Sequence, residues 1–137
     1  MTYRILFKLV TALTLLAASC AQAQVQVFAC EPEWAALAGE IAGAKIETTS
    51  ATNALQDPHY IQARPSLIAG MRKADLLICS GSGLEAGWLP VLLGKGNNPK
   101  VQTGQTGNLM ASQFVNRLEI PAVLDRAQGD LHAEGNP

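Results

Sequence analysis

Two hydrophobic periods alternate along the chain. Val25-Gln26-Val27-Phe28-Ala29-Cys30 is a short run of β-formers and predicts a strand. Glu31-Pro32-Glu33 follows. A proline and two acids suit the first turn of a helix, where a missing N–H costs nothing and the dipole favours negative charge. Trp34, Leu37, Ala38 and Ile41 then fall at i, i+3, i+4 and i+7, one face of that helix, and Gly43 is its stop. Lys45-Ile46-Glu47-Thr48-Thr49 predicts a second strand. Strand, helix and strand at this spacing form a βαβ unit, with parallel strands and a right-handed crossover.

The alternation continues. Pro65 and Ser66 open a second helix with Leu67, Ile68 and Met71 on its apolar side. Asp75-Leu76-Leu77-Ile78-Cys79 is a third strand, apolar enough to be buried on both faces. Ser80-Gly81-Ser82-Gly83 is the turn out of it. Leu84, Trp88 and Leu92 recur every fourth residue, a helical core stripe that Pro90 should kink or divide. Lys95 to Asn108 is rich in Gly, Asn, Gln and Thr and reads as a long loop, mobile or functional. Leu109 to Leu118 fits a short helix or an edge strand, and Pro121-Ala122-Val123-Leu124-Asp125 the start of a fourth strand. The fold class is therefore α/β: an open, mostly parallel four-stranded sheet flanked by helices.

The first stretch is read apart from the fold. Arg4 and Lys8 precede an uncharged, mostly apolar run from Leu9 to Ala18, and Ala21-Gln22-Ala23 supplies small residues at a cleavage site. Residues 1–23 are predicted to be a secretory signal peptide cut after Ala23. The alternative is a lipoprotein cut before Cys20, but Ala17-Ala18-Ser19 lacks the leucine of a lipobox. Residues 24–137 then form one α/β lobe. Its polar ending, Gly129 to Pro137, offers nothing to pack, and the chain reads as a piece of something longer.

Composition narrows the classes further. The 137 residues are 48% hydrophobic and 15% charged, with a formal net charge of −1, which is ordinary globular composition and too little positive charge for a nucleic-acid binder. Only two histidines are present. His59 lies between Pro58 and Pro65 in a stiff loop just past the second strand, at the sheet edge where open α/β folds bind ligands. A stiff loop carrying an imidazole loses little entropy on binding a metal. Export leaves two cysteines, Cys30 and Cys79, which form either a disulfide or two buried thiols. No histidine–cysteine cluster has metal-site spacing.

The motifs taken together resemble the periplasmic substrate-binding proteins of zinc and manganese ABC importers. The resemblance is carried by Asp57-Pro58-His59 with Pro65-Ser66, by Lys73-Ala74-Asp75-Leu76 leading to Gly81-Ser82-Gly83-Leu84-Glu85 and Trp88-Leu89, and by Gly135-Asn136-Pro137. Gln62-Ala63-Arg64-Pro65-Ser66 with Gly129-Asp130-Leu131-His132 looks most like a zinc-binding subgroup. The resemblance implies two α/β lobes joined by a long helix, with the metal between them. This chain corresponds to the N-terminal lobe, incomplete at its C-terminal end and without the second. It implies that His59 is the first metal ligand. The second would complete Asn-Pro-His, and the sequence ends at Pro137. His132 is an accessory metal ligand or a solvated loop residue. Asp57 orients the loop, Pro58 holds it, and Glu85 orders its turn rather than touching metal. The implied cargo is Zn2+, with Mn2+ as the alternative. The implied partner is the membrane permease of the importer, the place the periplasm, and the state a monomer that does no chemistry on its cargo.

Two other readings compete. Gly81-Ser82-Gly83-Leu84-Glu85-Ala86 fits the G-x-G-x-x-A of a dinucleotide-binding enzyme. It follows the third strand instead of the first, however, and no acid stands about 20 residues on, as that fingerprint requires. A truncated remnant that binds nothing is the third possibility. It would leave exposed the apolar surface meant for a second lobe.

Overall fold

A computed structural model describes residues 23–118 and residue 120. Residues 1–22 of the expected leader, the expected strand at 121–125 and His132 lie outside those residues. Four strands, β1 (Val25–Ala29), β2 (Ile46–Ser50), β3 (Leu76–Cys79) and β4 (Asn108–Met110), form one sheet in the order β2-β1-β3-β4. Every pair is parallel, with Val27 opposite Thr48 and Leu76, and Ile78 opposite Leu109. The helices α1 (Pro32–Ala42), α2 (Pro65–Lys73) and α3 (Leu89–Gly96) connect successive strands. The α/β class and the flanked four-stranded sheet are as the sequence predicts.

The strand order sets the layers. From β1 the chain steps one way to β2, then back across β1 to β3. Right-handed crossovers therefore place α1 on one face and α2 and α3 on the other. The main core lies on the two-helix face, where Phe28, Leu67, Met71, Leu77, Trp88 and Leu92 are buried together. Two glycines let these layers close. A Cβ on Gly70 would meet the Phe28 ring at 3.0 Å, and one on Gly96 would meet Met71 Cγ at 2.8 Å.

Three local expectations need correction, and one open alternative is decided. Helix α1 presents Trp34, Ala35, Ala38, Gly39 and Ala42 as its half-buried side, while Leu37 and Ile41 are 49% and 77% exposed. Its small residues approach the sheet, so the inward face is rotated from the one read from Leu37 and Ile41. Pro90 neither kinks nor divides a helix. It stands at the start of α3, where no N–H is needed, and residues 82–88 are turns. The fourth strand is Asn108–Met110, so the edge-strand option for this region is the one realised, followed by a 3-10 turn at Ala111–Phe114.

The third correction is to the Lys95–Asn108 segment, which is anchored. Buried Asn98 donates through Nδ2 to Met71 O at 2.9 Å and to Ala74 O at 2.7 Å, closing the C-terminus of α2, and Val101 is fully buried beside it. Asn98→Ala takes the side-chain donor from Ala74 O and leaves Met71 O with only the Ala74 amide at 3.4 Å, and should destabilise the fold by about 2 kcal/mol. Urea denaturation checks this, and a change within error would show that water takes over both bonds.

Candidate metal centre

Pro58–Tyr60 forms a single 3-10 turn on the carboxyl side of the sheet. Asp57 caps it: its Oδ1 accepts the His59 amide at 2.9 Å and faces His59 Nδ1 at 2.8 Å. An ionised carboxylate only accepts, so Nδ1 carries the proton and the lone pair of the neutral ring is on Nε2. The His59 amide and ring together hold the Asp57 carboxyl below the usual carboxylate range. The His59 side chain is 28% exposed. The structure thus brings Asp57, Pro58 and His59 into one unit in which a single carboxylate sets both the turn and the tautomer.

The unit is fastened from below. Trp88 Nε1 donates to Pro58 O at 2.6 Å, and the indole is fully buried. A Cβ on Gly87 would lie 3.2 Å from His59 O, so the 87–88 backbone lies directly under the turn. Sequence reasoning assigns Trp88 to the core and misses this bond. The signal was present: a buried tryptophan N–H needs an acceptor, and no polar residue stands in its stripe.

Glu85 stands in a second cluster. Both of its oxygens accept the Gly81 amide at 3.1 Å, and its carboxylate lies close enough to Glu31 for its charge to act on it. Gly81, Ser82 and Gly83 take φ of 81°, 53° and 88°, a left-handed run that wraps the loop around this carboxylate. Position 81 requires glycine, because a Cβ there would stand 2.5 Å from Ser112 Oγ. The dinucleotide fingerprint loses its physical basis here. The Gly81 amide that would meet a phosphate is given to a glutamate, and Glu31 adds a second acid.

Glu31 is almost fully buried. Its Oε2 accepts Ser80 Oγ at 3.1 Å and Ser80 N at 3.3 Å, and Ser80 Oγ in turn accepts Trp34 Nε1 at 2.9 Å. Burial, then the charge of Glu85, push its carboxyl up to about 8. Burial and the neighbouring charge therefore keep Glu31 protonated at neutral pH. Beneath the two carboxyls Cys30 and Cys79 form a disulfide with Cα atoms 4.8 Å apart, which settles the alternative left open by the sequence.

The sequence profile described as "ZnuA: Zinc-uptake complex component A periplasmic" matches residues 27–136. The chain belongs to this ZnuA family. Solved structures agree on the fold. A Mn-bound periplasmic metal binding protein from candidatus liberibacter asiaticus is 18% identical with a TM-score of 0.58, over 73% of this chain and 35% of that one. Its Cd-bound form gives 18% and 0.56, over 72% and 34%. A crystal structure of ZnuA gives 21% and 0.52, over 61% and 34%. The chain spans about a third of the length of these structures, so this ZnuA-family chain corresponds to part of a longer architecture. No curated protein sequence matches it.

Two predictions follow from the geometry. Neutral His59 should be the Nδ1–H tautomer, and Asp57→Ala should shift it toward Nε2–H. Long-range proton–nitrogen NMR reads the tautomer directly, and an Nε2–H ring in the unsubstituted chain would refute the assignment. The second concerns pH. Glu31 holds its proton more tightly folded than unfolded, so its stabilisation is complete below about 4.5 and falls as pH rises toward 8. Asp57 and Asp75 are held low and act only at more acidic pH. Thermal midpoints should therefore decline between about pH 5 and pH 8, and Glu31→Gln should flatten that slope.

Proposed function

We propose that this chain is a metal-capturing lobe of a periplasmic solute-binding protein that delivers zinc to the permease of an ABC importer. The observation that carries the proposal is the Asp57–His59 pair: an imidazole of fixed tautomer, on a 3-10 turn fastened to the core by Trp88, at the carboxyl side of a parallel sheet. Little side-chain or loop freedom remains to be lost when Nε2 meets a cation, and a carboxylate on the far nitrogen raises ligand basicity. Family membership supports the reading, and the solved relatives include Mn-bound and Cd-bound proteins.

Imidazole coordination favours zinc over manganese, which prefers oxygen. His59 is the first ligand and His132 an accessory one. Asp57 and Pro58 set the loop, and Glu85 shapes the turn that supports it. The leader directs the chain to the periplasm, where it acts as a monomer, and no bond in the cargo is made or broken. Zinc takes about four ligands in a tetrahedron. One imidazole leaves that shell open, and the remaining ligands come from outside the described residues.

With the disulfide intact, a competition titration against a chromophoric chelator should show weak zinc uptake. His59→Ala should abolish it, and Asp57→Ala should weaken it by about 10- to 100-fold. Uptake indifferent to His59→Ala would refute the ligand assignment. Tight stoichiometric uptake by the 137-residue chain would refute the open shell.

A further inference from the structure

The chain leaves β1 in one direction and reaches β3 by the other. The carboxyl ends of these adjacent strands are therefore the topological switch point of the sheet, where open α/β sheets form a ligand crevice. Cys30 and Glu31 stand at the end of β1, and Cys79 and Ser80 at the end of β3. Both sulfurs and a Glu85 carboxylate oxygen lie within 4.8 Å of one another, all three residues buried. The crevice thus holds two sulfurs and two carboxyls, but the sulfurs are bonded to each other.

We propose that reduction of the Cys30–Cys79 disulfide creates a second binding site, in which the two thiolates and the Glu85 carboxylate hold a thiophilic divalent cation of the zinc class. A dithiol reductant supplies the electrons. The S–S bond takes two electrons and breaks, the reductant's two protons pass to Cys30 and Cys79, and the reductant leaves as its own disulfide. A divalent cation then displaces both protons and forms two metal–sulfur bonds.

The geometry suits such an ion. Zinc–thiolate bonds of about 2.3 Å in a tetrahedron place two sulfurs about 3.8 Å apart. Cysteines whose Cα atoms are 4.8 Å apart reach that separation by side-chain rotation. Glu85 supplies a third donor, already aimed by the Gly81 amide. Glu31 stands at the same strand end, its Oε2 held by Ser80 and so kept out of the donor set. A cavity of about 660 Å3, open to solvent, is lined by Gly81, Ser82, Gly83 and Glu85, so an ion can approach from the Glu85 side, with the sulfurs buried behind it. Two thiolates select a borderline-soft cation over magnesium or calcium. The site is independent of His59.

Cobalt(II) titration of the full chain carrying His59→Ala tests this, before and after reduction by a phosphine that is then removed. The reduced form should take up one equivalent, with thiolate-to-cobalt charge-transfer absorption that zinc abolishes. The oxidised form should take up none. Glu85→Gln should weaken uptake by about tenfold or more while both thiols remain. X-ray absorption of the zinc-loaded reduced chain should show two sulfurs with oxygen completing the shell. No uptake after reduction, uptake unchanged by Glu85→Gln, or a four-sulfur shell built between unfolded chains would each overturn the proposal.

Discussion

The 2.6 Å hydrogen bond from the Trp88 indole to the Pro58 carbonyl joins the core of this chain to its surface chemistry. Without it the loop between β2 and α2 would keep the Asp57 cap, the Thr52 bonds to Cys30 O and the packing of Ile61 and Ala63, but the turn would lose its tie to the buried indole. With it, the turn that carries His59 inherits the rigidity of a fully buried side chain. The bond also solves two satisfaction problems at once. A buried indole N–H must have an acceptor, and the carbonyl of a tight turn must have a donor. Because one bond meets both needs, the loop position is a consequence of core packing and not an addition to it.

How much of this was legible in the sequence depends on the range of the interaction. The strand–helix alternation, the parallel sheet and the helix openings at Pro32 and Pro65 follow from local period and proline chemistry, and the structure carries them. Pro90 shows the limit. A helical stripe through Leu84, Trp88 and Leu92 is real in spacing, yet the proline has no N–H to give to the turn before it, so α3 begins at Leu89. The α1 face was misread for a different reason. Period locates a helix but not which side of it meets the sheet, and alanines and a glycine approach a parallel sheet more closely than Leu37 or Ile41. Asn98 was hidden because its partners, Met71 O and Ala74 O, are backbone atoms that leave no trace in residue type.

The candidate site divides along the same line. Asp57, Pro58 and His59 are contiguous, so their unit can be read directly from the chain. Glu31 and Glu85 are separated by most of the sheet's connectivity, and only the strand order brings them together. The left-handed run at Gly81–Gly83 makes the meeting possible by turning the loop back around the Glu85 carboxylate. A pattern that reads as a phosphate cradle becomes, in three dimensions, a carboxylate cradle. The glycines serve the same backbone purpose, but the protein fills the anion position with its own side chain.

The two clusters differ in what they ask of a cation. The His59 side chain is 28% exposed but its Nε2 is buried, so on the proposed reading a metal sheds part of its hydration before it meets that nitrogen. The switch-point crevice offers nothing while its sulfurs are paired and charged donors once they are not, and its desolvation is already complete. A buried site of that kind binds or excludes as a whole. The disulfide therefore sets its character. Oxidised, it joins β1 to β3, with Glu31 and Glu85 buried beside it. Reduced, it exchanges that structural tie for a pair of thiolates, beside a carboxylate that the Gly81 amide keeps in position.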